Sequence, residues 1–128
     1  MDAICIRQPY AELVLRGIKP HEIRGWRFDP HDDRILIVAS SQWGYGWREV
    51  MHEYGLTPAD CPRGVMVGTV EVSEFLSPTK SYYDPKALCD VDASVYQWVT
   101  AQPRRVIPRA VKGKLNLFHV DDALIVHR

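Results

Sequence analysis

The amino-acid sequence predicts an α+β fold, in which a small β-barrel is flanked by two or more helices. Three observations lead to this prediction. Short runs rich in β-branched and aromatic residues recur, two segments have helical periodicity, and strands and helices do not alternate as they do around a parallel sheet. The chain has 128 residues, 46% of them hydrophobic and 25% charged, so we expect a single domain over residues 1–128.

The predicted strands differ in how much of their surface they bury. Residues 34–39 form a continuous apolar run, which predicts a strand buried on both faces. Residues 104–108 predict an edge strand, because Pro108 cannot donate a hydrogen bond to a neighbour. Residues 77–92 predict a surface loop with one helical turn, and such loops often serve binding. Further strands are predicted over residues 3–7, 65–72 and 95–101.

The first predicted helix opens at Pro9, since a proline in the first turn of a helix loses no hydrogen bond. Tyr10, Leu13 and Val14 give this helix one apolar stripe. Gly17 ends it in the usual C-terminal position.

The second predicted helix has a longer apolar stripe, which indicates that one face packs on the core. Ser40 and Ser41 precede it and are suitable N-terminal caps. Gly55 ends it. The stripe follows the spacing i, i+4, i+7, i+8 and i+11 and consists of Trp43, Trp47, Val50, Met51 and Tyr54.

The segment between the first helix and the next strand holds the candidate site. If it runs extended after Pro20, Glu22, Arg24 and Trp26 share one face, while Ile23 points to the core. Lys19 lies in the bend just before that face. A lysine, a carboxylate, a guanidinium and an indole can pair with phosphate, hold a polar heterocycle by its edge and stack on its flat side.

This segment also has plainer interpretations. Glu22 and Arg24 can form an ion pair on an exposed strand, and Lys19 can be a solvated surface residue. As a general base Lys19 would have to lose its proton, and a neighbouring Glu22 carboxylate opposes that loss. The spacing therefore favours a binding role over base catalysis.

Trp26 and Trp98 are the candidates for stacking on a base. Stacking on an aromatic ring contributes roughly 1–3 kcal/mol per base. A tryptophan in the middle of a strand also packs inward readily, so a core position for Trp98 remains equally open.

A basic run near the C-terminus is a second candidate surface. No acidic residue occurs between Asp92 and Asp121. The run can follow a nucleic-acid backbone, with Arg104 and Arg105 as contacts, or it can be the solvated surface of two strands and their turn. Its members are Arg104, Arg105, Arg109, Lys112 and Lys114.

Composition excludes several other classes. Sixteen basic and sixteen acidic residues balance, which argues against a protein that coats nucleic acid. No apolar run is long enough to span a membrane, and the first residues lack the basic and apolar pattern of a signal peptide, so we expect a cytoplasmic protein. The three cysteines are widely spaced and share no metal-ligand spacing with the histidines, so we expect reduced thiols, no metal and no cofactor.

Four blocks of sequence carry a resemblance that runs nearly end to end. The blocks comprise residues 6–13 with 17–19 and 22–26, residues 35–40, residues 62–70, and residues 96–99 with 112–118. In this order they resemble the ASCH (activating signal cointegrator homology) domain of the PUA-like superfamily. The resemblance implies a PUA-like β-barrel with a cleft beside the first helix, lined by the Gly-x-Lys-x-x-Glu-x-Arg segment at residues 17–24.

The resemblance also implies a ligand: RNA or another single-stranded nucleic acid, or a modified nucleoside. We expect Lys19 and Arg24 to contact phosphate or base oxygens, and Glu22 to accept a hydrogen bond from a base amine. Trp26 would stack or wall the cleft. Tyr10 and Ser40 would donate from its rim.

Some family members are small amidohydrolases that deacetylate N4-acetylcytidine, and ribonuclease activity is ascribed to others. In these amidohydrolases the lysine acts with a threonine and a later glutamate, and Glu22 stands where that threonine would be. Tyr10 and Val38 likewise replace a tryptophan and a histidine common among relatives. We therefore predict binding, with hydrolysis of N4-acetylcytidine or RNA by Lys19 and Glu22 as the alternative. A protein-interaction module is a third class, and the oligomeric state stays open.

Overall fold

The computed structural model describes all 128 residues and contains eight strands, two α-helices and two short 3₁₀ turns, Pro58–Asp60 and Asp122–Leu124. The α-helices are α1 (Tyr10–Leu15) and α2 (Trp47–Glu53). The strands are β1 (Asp2–Gln8), β2 (His21–Arg24), β3 (Ile35–Trp43), β4 (Val65–Leu76), β5 (Tyr82–Asp84), β6 (Cys89–Val91), β7 (Tyr96–Ala110) and β8 (Phe118–His119).

Six strands form one sheet in the order β2-β7-β4-β3-β1-β8, and β5 and β6 form a separate hairpin. Within the sheet, β1 and β3 are parallel and the other neighbours are antiparallel. The fold is mostly sheet with two helices, in agreement with the predicted mixture. No ladder joins the edge strands β2 and β8, so closure into the predicted barrel is not confirmed.

Apolar residues cover both faces of the central strand β3. Ile35 and Ile37 pack on one face, in the core that includes Trp98 and the apolar side of α1. Leu36 and Val38 pack on the other face, in a second core that the C-terminal segment covers. The continuous apolar run thus forms a strand buried on both faces, as predicted, because successive side chains point to opposite sides.

Helix α1 lies directly against the sheet. A Cβ atom on Gly68 of β4 would lie 2.4 Å from Leu15 Cδ2 and 2.7 Å from the Arg104 carbonyl oxygen, so only glycine fits there. Glu12 is buried and accepts two hydrogen bonds from the guanidinium of Arg105 at 2.8 and 2.7 Å. Arg16 Nε donates a third at 2.7 Å.

The second helix starts later than its apolar stripe, at the later start that Gly44 and Gly46 leave open. It begins at Trp47, after Gly46 in the left-handed conformation at φ +69°, whereas Trp43 ends β3. Ser40 and Ser41 therefore continue the strand and cap no helix. The stripe still has a packing role, because the Trp43 and Trp47 rings stack with centroids 4.3 Å apart.

Two other segments also differ from prediction. Residues 95–101 and 104–108 belong to one strand, β7, whose ladder with β4 shifts register and which contains Gln102 at φ +50°. The C-terminal segment bonds to residues 105–107 on the side of β7 that β2 leaves free, with the Ile107 N–H donating to the Val126 carbonyl at 2.8 Å. Pro108 is tolerated because it falls in the register shift of the β4–β7 ladder between Arg105 and Arg109, where no ladder hydrogen bond needs its nitrogen. Residues 77–92 form the β5–β6 hairpin and no helix.

Candidate functional site

The bend after α1 and the strand β2 bring Lys19 and Glu22 into contact inside the protein. Lys19 is 6% exposed, which excludes the solvated alternative. Its Nζ donates to the carbonyl oxygen of His21 at 3.1 Å and to Glu22 Oε1 at 3.2 Å. An ammonium group has three protons, so one remains for a ligand.

Glu22 is buried and ionised, and only one of its two carboxylate oxygens accepts a hydrogen bond. Burial alone would raise the pKa of its carboxyl, but Lys19, Arg24 and a hydrogen bond from the Ile23 amide outweigh burial and lower that pKa. Oε1 accepts from Lys19 and from the Ile23 N–H at 3.2 Å. Oε2 is buried and has no hydrogen-bond partner. A buried carboxylate oxygen without a donor is costly, which makes it a strong acceptor for a ligand.

Arg24 links the edge strand β2 to β1. Its Nη2 donates to the Cys5 carbonyl oxygen at 2.8 Å and lies 3.6 Å from Glu22 Oε2. The predicted Glu22–Arg24 ion pair therefore exists, but Glu22 is buried and the pair does not lie on an exposed strand. Arg24 spans the gap between β2 and the part of β1 that β8 does not pair.

A cleft of about 570 Å³ opens at this gap, and we call it the Lys19 cleft. Four parts of the chain build it: β1 with the start of α1, the β2 segment, the loop before α2, and the turn of the β5–β6 hairpin. Ile23, predicted to point to the core, lines the cleft and is half-buried. The lining residues are Cys5, Ile6, Arg7, Tyr10, Lys19, Glu22, Ile23, Arg24, Tyr45, Ala87, Leu88 and Cys89.

A buried polar network holds the hairpin turn against β2. Asp84 Oδ2 lies 2.8 Å from His21 Nδ1 and accepts from Gln97 Nε2 at 2.8 Å. Burial would raise the pKa of Asp84, but the hydrogen bonds from His21 and Gln97 outweigh it and lower the pKa. The backbone N–H of His21 also donates to the Lys86 carbonyl oxygen at 3.1 Å. The loop predicted to serve binding is thereby fixed as one wall of the cleft.

Two tyrosines form the opposite rim. The Tyr10 ring packs against the backbone of the loop before α2, since a Cβ on Gly44 would lie 2.6 Å from that ring. Its hydroxyl donates to the Tyr45 carbonyl, so the proton of this predicted rim donor is already used. Tyr45 lines the cleft, and the residue is 96% exposed, so its ring is free to contact a ligand. Sequence reasoning missed Tyr45, and the signal available was an aromatic residue between Gly44 and Gly46.

Neither predicted stacking tryptophan lines the Lys19 cleft. Trp98 is fully buried, which agrees with the core alternative. Its Nε1 donates to the Trp26 carbonyl at 3.0 Å, and the two rings meet edge to face with centroids 4.9 Å apart. Trp26 lies beyond the end of β2 and packs against the core, so it does not share the cleft face of Glu22 and Arg24.

Ser40 lines a second cleft of about 820 Å³, which we call the Lys112 cleft. It adjoins the Lys19 cleft, because Cys5, Arg7 and Arg24 line both. Its lining comprises these three residues, Gly64 and residues 39–42 and 110–116.

The residues of the predicted basic run do not form one continuous surface in the structure. Lys112 and Lys114 line the Lys112 cleft, whereas Arg104 and Arg105 line neither cleft. Arg104 is exposed on β7. Arg105 is engaged by Glu12.

Three further findings concern metal ligands, the cysteines and the length of the helices. No group of three or more His, Cys, Asp or Glu side chains is arranged to hold a metal ion. Cys5, Cys61 and Cys89 are free thiols. Burial raises the pKa of the Cys89 thiol at the edge of the Lys19 cleft, so it is a thiol and no thiolate nucleophile at neutral pH. None of the helices has the length and hydrophobicity to cross a membrane.

The open sheet has beside its first helix a cleft whose lining is mostly apolar but includes the charged Lys19, Glu22 and Arg24 of a Gly-x-Lys-x-x-Glu-x-Arg segment. This arrangement is the one that the resemblance to the ASCH domain implies. The sequence model of the ASCH domain matches residues 4–112, and the chain belongs to the ASCH domain family.

Known relatives agree with this membership. The chain is 24% identical over 131 residues to activating signal cointegrator 1 of Homo sapiens, and the match covers 94% of the chain and 22% of that protein. The mouse protein has the same identity and coverage. The chain thus spans about a fifth of the length of these relatives.

Solved structures share the fold. The crystal structure of ASCH from Zymomonas mobilis aligns with a TM-score of 0.64 at 11% sequence identity, and the alignment covers 95% of this chain and 88% of that one. A variant of the same protein aligns with a TM-score of 0.59 at 10% identity, covering 97% and 95%.

Proposed function

We propose that this ASCH domain binds RNA, or a modified nucleoside within RNA, in the Lys19 cleft. The unpartnered Oε2 of Glu22 carries the proposal. Glu22 lines the cleft, and its ionised carboxylate has one oxygen that accepts no hydrogen bond within the chain, so a small rotation of the side chain would offer it to a ligand N–H group such as a base amine. The family is generally linked to RNA binding, which agrees with a base as the ligand.

The other groups of the cleft suit the same ligand. Glu22 would accept from a base amine, while the third Lys19 proton and the remaining Arg24 N–H groups would donate to base or phosphate oxygens. The exposed ring of Tyr45 would stack on the base, a role for which Trp98 is too deeply buried and Trp26 lies outside the cleft. The volume, about 570 Å³, lies in the range of small-ligand sites, about 300–1,000 Å³.

The cleft also suits the PUA-like barrel that the resemblance implies. Because β8 pairs only with Asp2 and Ala3, the rest of β1 faces β2 across the open side of the sheet, where such a barrel would close, and the Arg24 hydrogen bond to the Cys5 carbonyl bridges this gap. A ligand held there would add contacts between the two strands.

Mass spectrometry after incubation with short single-stranded RNAs and free nucleosides, N4-acetylcytidine included, tests the proposal. We expect ligands to be recovered intact and to co-purify with the wild type and with Lys80→Ala, a control that removes an exposed lysine outside both clefts. Lys19→Ala and Glu22→Gln should lose them.

The other outcomes identify the alternatives. A product that requires Lys19 would make the domain a hydrolase, and the product's mass would identify the bond cleaved. Absence of any bound RNA or nucleoside would refute the proposal and favour a protein-interaction module.

A further inference from the structure

We propose that the Lys112 cleft binds the phosphodiester backbone of a single-stranded nucleic acid whose base occupies the Lys19 cleft. The position of the base rests on the proposed function. The phosphate site rests on independent observations of charge, hydrogen-bond donors and geometry.

The charge of the Lys112 cleft is one-sided. Arg7, Arg24, Lys112 and Lys114 line it, and no aspartate or glutamate does. Arg24 is partly neutralised by Glu22. The other three cations are exposed and take part in none of the eight ion pairs of the protein. On a chain of zero net charge, three unpaired cations around one cleft form a local site for anions.

Neutral donors supplement these charges. Ser40, Ser41, Gln42 and Asn116 line the same cleft. The backbone N–H groups of residues 112–117 donate no hydrogen bond within the chain, since this stretch lies outside the strands and outside every recorded turn bond. Hydroxyl, amide and backbone N–H groups are the usual neutral partners of phosphate oxygens.

The loop that carries Lys112 and Lys114, between β7 and β8, packs against β1. A Cβ on Gly113 would lie 2.6 Å from Cys5 Sγ, so the loop contacts β1, whose residues Cys5 and Arg7 line both clefts. Arg7 and Arg24 line both clefts and form their junction. A single-stranded nucleic acid that places one base beside Glu22 can therefore run its phosphodiester backbone over these arginines towards Lys112 and Lys114.

This geometry favours a polynucleotide over a free nucleoside. A nucleoside has no phosphate for the Lys112 cleft, whereas an oligonucleotide uses both clefts. The affinity for an oligonucleotide should therefore depend on salt, while the binding of a free nucleoside should depend on it little.

The test compares Lys112→Ala/Lys114→Ala with Lys80→Ala/Arg128→Ala, which also removes two exposed cations but from outside both clefts. The probe is a fluorescein-labelled single-stranded RNA of about ten nucleotides, titrated by anisotropy between about 50 and 400 mM NaCl. Loss of two exposed charge contacts should weaken binding about tenfold at low salt. The slope of log K against log salt should decrease by about 1.4, or about 0.7 per lost phosphate contact.

The outcomes separate this inference from the proposed function. Equal affinity and slope for the two double variants would overturn the phosphate site, while loss of binding by Lys19→Ala in the same assay would still support the base cleft. Conversely, an unchanged Lys19→Ala affinity together with a weakened Lys112→Ala/Lys114→Ala would refute the base cleft and retain the phosphate site.

Discussion

Replacement of Arg105 by alanine distinguishes a structural role from a role in RNA binding. The sequence predicts Arg105 as a contact to a nucleic-acid backbone, whereas in the structure its guanidinium holds the buried Glu12 of α1. Arg105→Ala removes both of these hydrogen bonds and leaves Glu12 with Arg16 as its remaining charged partner, at 2.7 Å.

The size of the effect follows from this geometry. A hydrogen bond to a charged group contributes about 1.5–3 kcal/mol net. Arg105 is 37% exposed, so solvent screens the pair, and Arg16 retains part of the interaction. We therefore expect the free energy of unfolding to fall by about 2 kcal/mol for the two bonds together. In a domain of this size, that lowers Tm by roughly 6–10 °C.

The pH dependence gives a second readout. Burial would raise the pKa of Glu12, but the hydrogen bonds from Arg105 and Arg16 outweigh it and lower the pKa from its ordinary value of 4.5. The stabilisation is therefore fully present above pH 4.5 and is lost as the pH falls through the lowered folded-state value. The stability difference between wild type and Arg105→Ala should shrink below pH 4.5.

Urea unfolding followed by circular dichroism, at neutral and at acid pH, measures both effects. Arg104→Ala is the matched control, because Arg104 is the preceding arginine, is exposed and forms no ion pair. It should change stability by less than about 0.5 kcal/mol. Undiminished stability of Arg105→Ala together with reduced RNA affinity would refute this reasoning and return Arg105 to a role in RNA binding.

Two further substitutions test the rim of the Lys19 cleft and the packing of α1. Tyr45→Ala should weaken RNA binding about tenfold or more without loss of stability, since base stacking contributes roughly 1–3 kcal/mol and this side chain is exposed. Tyr45→Phe should retain most of the affinity in the same anisotropy assay, and equal loss in both variants would exclude stacking. Gly68→Ala should lower the free energy of unfolding by about 1–3 kcal/mol because its Cβ would overlap Leu15 and the Arg104 carbonyl. An unchanged urea midpoint would show that α1 can move away from the sheet without cost.

Features set by neighbouring residues could be predicted from the sequence. The unbroken apolar run of β3 predicts burial on both faces, and both cores contain its side chains. The spacing of Lys19, Glu22 and Arg24 places them together because they share one bend and one short strand. Three of the predicted site residues therefore line one cleft on local geometry alone, and the fold brings Tyr10 to them.

Features set by distant partners could not be predicted in this way. Arg105 and Glu12 are 93 positions apart, and a run of basic residues does not reveal that one of them has a buried carboxylate as its partner. Trp26 carries the right ring for stacking, but Trp98 brings it into the aromatic core through contacts across 72 positions. Gly44 and Gly46 indicate that the second helix can start late, and it does start after Gly46, but they do not reveal that the intervening Tyr45 lines a cleft built by distant parts of the chain.

The Lys19 cleft is assembled from β1, the bend before β2, the loop before α2 and the β5–β6 turn. The unfolded chain keeps these parts separate and offers a ligand no comparable site. Ligand binding is therefore linked to folding, and a ligand at a hundred times its Kd should stabilise the folded domain by about 2.7 kcal/mol. Thermal unfolding in the presence of a nucleoside and oligonucleotide library can thus identify the ligand through the native-state population alone, without an activity assay.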